Sequence, residues 1–128
     1  DLERLGDHAK DILEFSMKLK NSSKENTRIK EMVNYVINMV KDAVKSYIDK
    51  DEKLAREVIL RDDHVDEEYA AMLVTLTKAG DEKEIDTRFL VYTSLVVKYI
   101  ERIADHATNI AEWVIYILTG YYKDKQII

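Results

Sequence analysis

Apolar positions recur at three- and four-residue steps along most of this 128-residue chain. That is the spacing of an amphipathic helix with one face turned to a core. Four such stretches follow one another, separated by short polar runs. The first covers residues 1–20, with Leu2, Leu5, Ala9, Ile12, Leu13, Ser16 and Leu19 on one face. Gly6 falls inside it, where a glycine costs about 1 kcal/mol against alanine. The second runs from about 25 to 48 on Ile29, Met32, Val33, Val36, Ile37, Val40, Val44 and Tyr47. The third, about 51–79, uses Leu54, Val58, Val65, Tyr69, Met72, Leu73 and Leu76. The fourth, about 83–119, packs Phe89, Tyr92, Val96 and Tyr99 early, then Ile100, Ile103, Ala107, Ile110 and Val114.

Ser22…Glu25, Asp49…Glu52 and Asp81…Glu84 have the spacing of a capping box, and each is expected to open the helix that follows it. Gly80 and Gly120 stand where the third and fourth helices should close. The pattern therefore predicts an all-α fold, an elongated antiparallel bundle of four long helices joined by short turns. The tail from Tyr121 to Ile128 is expected to fray.

Composition narrows the picture. A chain that is 46% hydrophobic and 35% charged can bury one core unaided. Three glycines and no proline leave the long periodic segments unbroken. A net charge of −5 argues against nucleic-acid binding. With no cysteine there is neither a disulfide framework nor a thiolate metal site. The longest apolar run, Trp113 to Leu118, falls far short of the roughly 20 residues of a membrane span.

Against this background the acids stand out. Glu101, Asp105 and Asn109 recur every four residues, with Glu112 three later, so on a helix they fall within an arc of about 80°. Like charges at that spacing repel, by roughly 0.2–0.5 kcal/mol per pair, and call for a counter-charge. On the third helix Asp62 projects inside the apolar arc and Asp66 at its edge, whereas Asp63, His64, Glu67 and Glu68 point toward solvent. A carboxylate on a core face must be paired or bind a metal. Two antiparallel helices carrying such stacks can enclose cations, and all-oxygen donors suit Fe³⁺, Mn²⁺, Mg²⁺ or Ca²⁺. The plainer alternative is a solvated acidic face with Arg4 and Arg102 as counter-ions.

The motif is also duplicated. Glu3, Arg4, Asp7, His8, Ala9, Asp11, Ile12 and Glu14 align one for one with Glu101, Arg102, Asp105, His106, Ala107, Asn109, Ile110 and Glu112. Such self-similarity argues for two repeats of one supersecondary unit. The chain opens inside the first copy without an initiator Met, and reads as a fragment of a longer protein. Other chemistries fail on spacing. No Glu has a His three residues on, as a ferritin-like centre needs, and there is no HExxH, P-loop, GxSxG or EF-hand loop. The Asp-His doublets at 7–8, 63–64 and 105–106 do not converge, and His8 and His106 read as boundary residues.

The segments Glu3-Arg4-Leu5-Gly6-Asp7-His8-Ala9 and Glu101 to Glu112, with Asp62-Asp63-His64-Val65-Asp66-Glu67-Glu68-Tyr69 and Tyr116 to Gly120, resemble the signature of the PhoU family of phosphate-uptake regulators. The resemblance implies two three-helix repeats, each with an E/DxxxD motif. Residues 25–120 match a complete repeat and residues 1–20 the last helix of a truncated first one. It also implies a non-catalytic, cytoplasmic negative regulator that links the phosphate ABC transporter, through its ATPase subunit, to a sensor histidine kinase. A homo-oligomer is expected, and neither nucleic acid nor a membrane span. By match, Asp62, Asp66, Glu101, Asp105 and Asn109 form one metal site, and Glu3, Asp7 and Asp11 half of another. Iron or zinc is implied by the family, manganese or magnesium by the donor set. The half-site is completed by another chain or stays empty, and Asn109, standing where the first copy has Asp11, lowers the charge of the second site. Three rival readings are an accessory domain of a sodium–phosphate cotransporter, a metal-dependent hydrolase and a helical interaction module without metal.

Overall fold

A computed structural model describes residues 24–83, 85–122, 125 and 126, together with residues 7 and 11. Three helices make up the body of the described chain: α1 (Lys24–Asp49), α2 (Glu52–Asp81) and α3 (Thr87–Thr119). They correspond to the second, third and fourth predicted helices, and the all-α class holds. The predicted first helix, and with it the count of four, lies outside the described residues except at Asp7 and Asp11, whose backbones are helical. After α3, β1 (Tyr121–Tyr122) pairs antiparallel with β2 (Lys125–Gln126), Tyr121 facing Gln126 and Tyr122 facing Lys125.

Short connections force neighbouring helices to run antiparallel. The cross-helix ion pairs agree: Arg28 near the start of α1 meets Glu68 in the second half of α2, and Asp42 further along α1 meets Arg61 nearer the start of α2. Each helix packs against both others. Met39, Val58, Val65, Met72, Leu76, Val96, Val97 and Ile100 fill the core with no more than 2% of their surface exposed. Burying a side chain of this size stabilises the fold by about 1.5–3 kcal/mol.

The core stripe of α1 runs through Ile29, Met32, Val36, Met39, Ala43 and Ser46. Two residues expected on it, Ile37 and Tyr47, are exposed instead. The small side chains Ala43 and Ser46 are wholly buried there, as Ala104, Ala107 and Ala111 are on α3.

Three helix boundaries differ from the expected ones. Asp49 ends α1 rather than capping α2. Lys50 takes a left-handed conformation (φ 52°), the Asp51 amide returns to the Ser46 carbonyl (2.9 Å), and Asp51 caps α2 by accepting from the Leu54 amide (3.0 Å). Gly80 does not stop α2, which runs on to Asp81 and turns at Lys83 (φ 57°). The reason for glycine there is proximity, since a Cβ at position 80 would lie 3.0 Å from Leu90 Cδ2. The cap of α3 is Asp86, accepting from the Phe89 amide at 2.7 Å, rather than Asp81. Gly120 closes α3 as expected, with φ 79° and its amide bonded to the Tyr116 carbonyl.

Candidate metal centre

Asp62 and Asp66 stand one turn apart on α2, and Glu101 and Asp105 one turn apart on the facing stretch of α3. Antiparallel packing brings the two stacks together. One carboxylate oxygen from each of Asp62, Asp66 and Asp105 lies within 4.8 Å of the other two. Glu101 stands beside them, close enough for its charge to raise the pKa of all three. Asn109 is exposed one turn beyond Asp105. Of the duplicated motif, Asp7 is exposed and Asp11 half-buried, whereas Glu3 lies outside the described residues.

The electrostatics follow from crowding. Burial pushes the Asp62 carboxyl up to about 6 from the ordinary 3.8, and the charges of Asp66, Glu101 and Asp63 add to it. A nearby Thr108 hydroxyl pulls the other way; that hydroxyl donates to the Ala104 carbonyl at 3.0 Å. Asp105 is pushed to about 7, by burial first, then by a hydrogen bond with Glu101 and the surrounding negative charges. Asp66 is raised by burial and by Glu101 and Asp63. These carboxylates repel one another, and the partial burial of Asp62 adds to the cost of ionising it.

Two side chains that the sequence pattern did not single out complete the site. Lys98, three residues before Glu101, donates its ammonium to Glu101 Oε2 at 3.0 Å. The same ammonium lies 5.4 Å from the ring centre of Tyr69, three residues past Asp66. Glu101 holds the Lys98 ammonium above its usual pKa. Same-helix spacing was the available signal for the first contact, but the second needs the register between α2 and α3.

The residues fit a cation. Asp62 Oδ1 is buried and accepts no hydrogen bond, a state that costs about 1–3 kcal/mol when uncompensated. Metal–oxygen distances of about 2.0–2.6 Å allow two donors on one ion to lie roughly 3–5 Å apart, which accommodates the 4.8 Å grouping of Asp62, Asp66 and Asp105. Oxygen donors alone favour hard or borderline ions. Of the histidines, His64 turns its ring to Tyr35 at 4.7 Å and belongs to a separate groove between α1 and α2.

Comparison with known proteins identifies the family of the chain. Residues 29–114 match the family model of the PhoU domain, a span that includes Asp62, Asp66, Glu101, Asp105 and Asn109 but not Glu3, Asp7 or Asp11. The chain is 39% identical over 127 residues to a phosphate-specific transport system accessory protein PhoU homolog of Clostridium acetobutylicum, covering 97% of this chain and 58% of that protein. It is 36% identical to the Synechocystis sp. homolog over 122 residues (94% of this chain, 54% of that protein). It is 32% identical to homolog 1 of Thermotoga maritima over 123 residues (94% and 53%). The chain thus spans a little over half the length of these relatives.

Proposed function

The chain belongs to the PhoU domain family, and on that premise we propose that it regulates phosphate uptake as a non-catalytic accessory protein whose acidic centre binds cations. In this reading it acts in the cytoplasm as a negative regulator, between the ATPase subunit of a phosphate ABC transporter and a sensor histidine kinase. Among the described residues no helix is long and apolar enough to cross a membrane. The names of the relatives, accessory proteins of phosphate-specific transport, support the regulatory role.

The observation that carries the cation-binding reading is the convergence of Asp62, Asp66 and Asp105 from two helices, with one of their oxygens, Asp62 Oδ1, buried without a hydrogen-bond partner. Asp62 and Asp66 hold the α2 side and Asp105 the α3 side, with Glu101 and Asn109 within a turn to extend the donor set. Iron, zinc, manganese and magnesium are the candidate ions. When bound, an ion supplies the positive charge that these carboxylates lack. The carboxylates then draw α2 and α3 together where they would otherwise push them apart. A partner that reads this face would sense the change in spacing. Glu3, Asp7 and Asp11 are proposed as half of a second site, completed by another copy in a homo-oligomer.

The test uses cells that lack their own accessory protein and carry the full reading frame, either unchanged or with Asp62→Ala and Asp105→Ala together. The unchanged protein should restore repression of a phosphate-starvation reporter and limit uptake of radiolabelled phosphate. The variant, at equal abundance, should not. Failure of the unchanged protein to repress would overturn the regulatory reading. Metal-dependent phosphoester hydrolysis by the purified protein, lost in Asp105→Ala, would overturn the non-catalytic one.

A further inference from the structure

Glu101 belongs to the acidic centre by position, yet its carboxylate is already engaged. Lys98 Nζ lies 3.0 Å from Oε2, and only 13% of the Glu101 side chain is exposed. The three carboxylates that group within 4.8 Å are the other ones. Lys98 is itself held on two sides, by Glu101 on its own helix and by the Tyr69 ring across the helix interface. Both elements of the centre therefore grip one ammonium group at its rim.

We propose that Lys98 is a resident counter-cation of the acidic centre, one that competes with an incoming metal ion for Glu101 and so sets the affinity of the site. The inference rests on the cation-binding reading above. In the metal-free protein the ammonium neutralises one of four crowded carboxylates. When an ion is taken up, Glu101 exchanges Lys98 for the metal, and the ammonium stays over Tyr69, where the face of the ring still attracts it. Two effects of Lys98 then oppose metal entry: it occupies a ligand, and its charge repels a cation. A lysine that merely braced Glu101 in a ligating position would act in the opposite direction.

The sign of the change in affinity separates the two. Lys98 is nearly half exposed, so Lys98→Met keeps the aliphatic stem and a good helix former without disturbing the core. Calorimetric titration of the 128-residue chain with Mn²⁺ alone, at pH 7.5, should give three- to tenfold tighter binding for Lys98→Met, the scale expected for losing one partly exposed ion pair (about 0.7–1.4 kcal/mol). Lys98→Arg should stay within about twofold of the parent. In a Glu101→Gln background the gain from Lys98→Met should shrink to under twofold, because the contested ligand is gone. Equal or weaker binding by Lys98→Met, with the parent still binding Mn²⁺, overturns the role of Lys98 and leaves the metal site standing. An undiminished gain in the Glu101→Gln background overturns the competition for Glu101. Absence of binding by the parent and by Lys98→Met overturns the metal reading and this inference with it.

Discussion

Replacing Asp62 with asparagine should make the metal-stripped protein more stable, and increasingly so as pH rises. In the fold the Asp62 carboxyl titrates near 6 against an ordinary 3.8, because burial and the charges of Asp66, Glu101 and Asp63 disfavour its ionised form. The folded chain thus holds this proton more tightly than the unfolded chain does. Stability falls as pH climbs from about 4 to about 7, and the full penalty is present above that. Raising a carboxyl from 3.8 to about 6 is worth about 3 kcal/mol at face value. Asp62 is only half-buried, so solvent screening reduces this to about 1 kcal/mol. Asparagine keeps the shape and removes the charge. Urea unfolding in a chelator should therefore show variant and parent nearly equal at pH 4, with the variant ahead by about 1 kcal/mol at pH 8, or about 3–5 °C in Tm. Saturating Mn²⁺ should reverse the order. The parent gains RT ln(1 + [L]/Kd), about 2.7 kcal/mol at a hundredfold excess over Kd, and the variant gains less. A difference that fails to grow between pH 4 and pH 8 would refute the assignment of Asp62 as a carboxylate whose ionised form the fold disfavours.

Two further predictions test the frame that carries the site. Asp51→Ala and Asp86→Ala should each cost about 1 kcal/mol by removing a cap, whereas Asp49→Ala and Asp81→Ala should stay within about 0.5 kcal/mol, as read by thermal melting. At the turns, Lys50→Gly should stabilise and Gly120→Ala destabilise by about 1 kcal/mol each, because both positions are left-handed and nothing lies within 4 Å of a Cβ at Gly120.

The inward turn of Asp62 was legible because Leu54, Val58, Val65 and Tyr69 fix the phase of their helix, and a carboxylate between them stands out. The pairing of its stack with Asp105 followed from short connections and antiparallel packing. The caps were less legible. Asp81, Glu82, Glu84 and Asp86 offer several starts within six residues, and the choice falls to tertiary packing, where Leu90 of α3 closes over Gly80 of α2. The phase of α1 is ambiguous at Ile37 and Tyr47 because apolar residues at three- and four-residue steps also fit a neighbouring stripe, and the core positions fall to Ala43 and Ser46. The place of Lys98 is not legible in the sequence because it depends on Tyr69, which approaches from another helix.

In the proposed function, Asp62, Asp66 and Asp105 hold a cation between α2 and α3. Anomalous diffraction from crystals of this chain grown with Mn²⁺ addresses it directly. A bound ion should give a peak bounded by those three carboxylates, about 2.0–2.4 Å from an oxygen of each. A map with no peak there, or with manganese only on other acids of the surface, would contradict it.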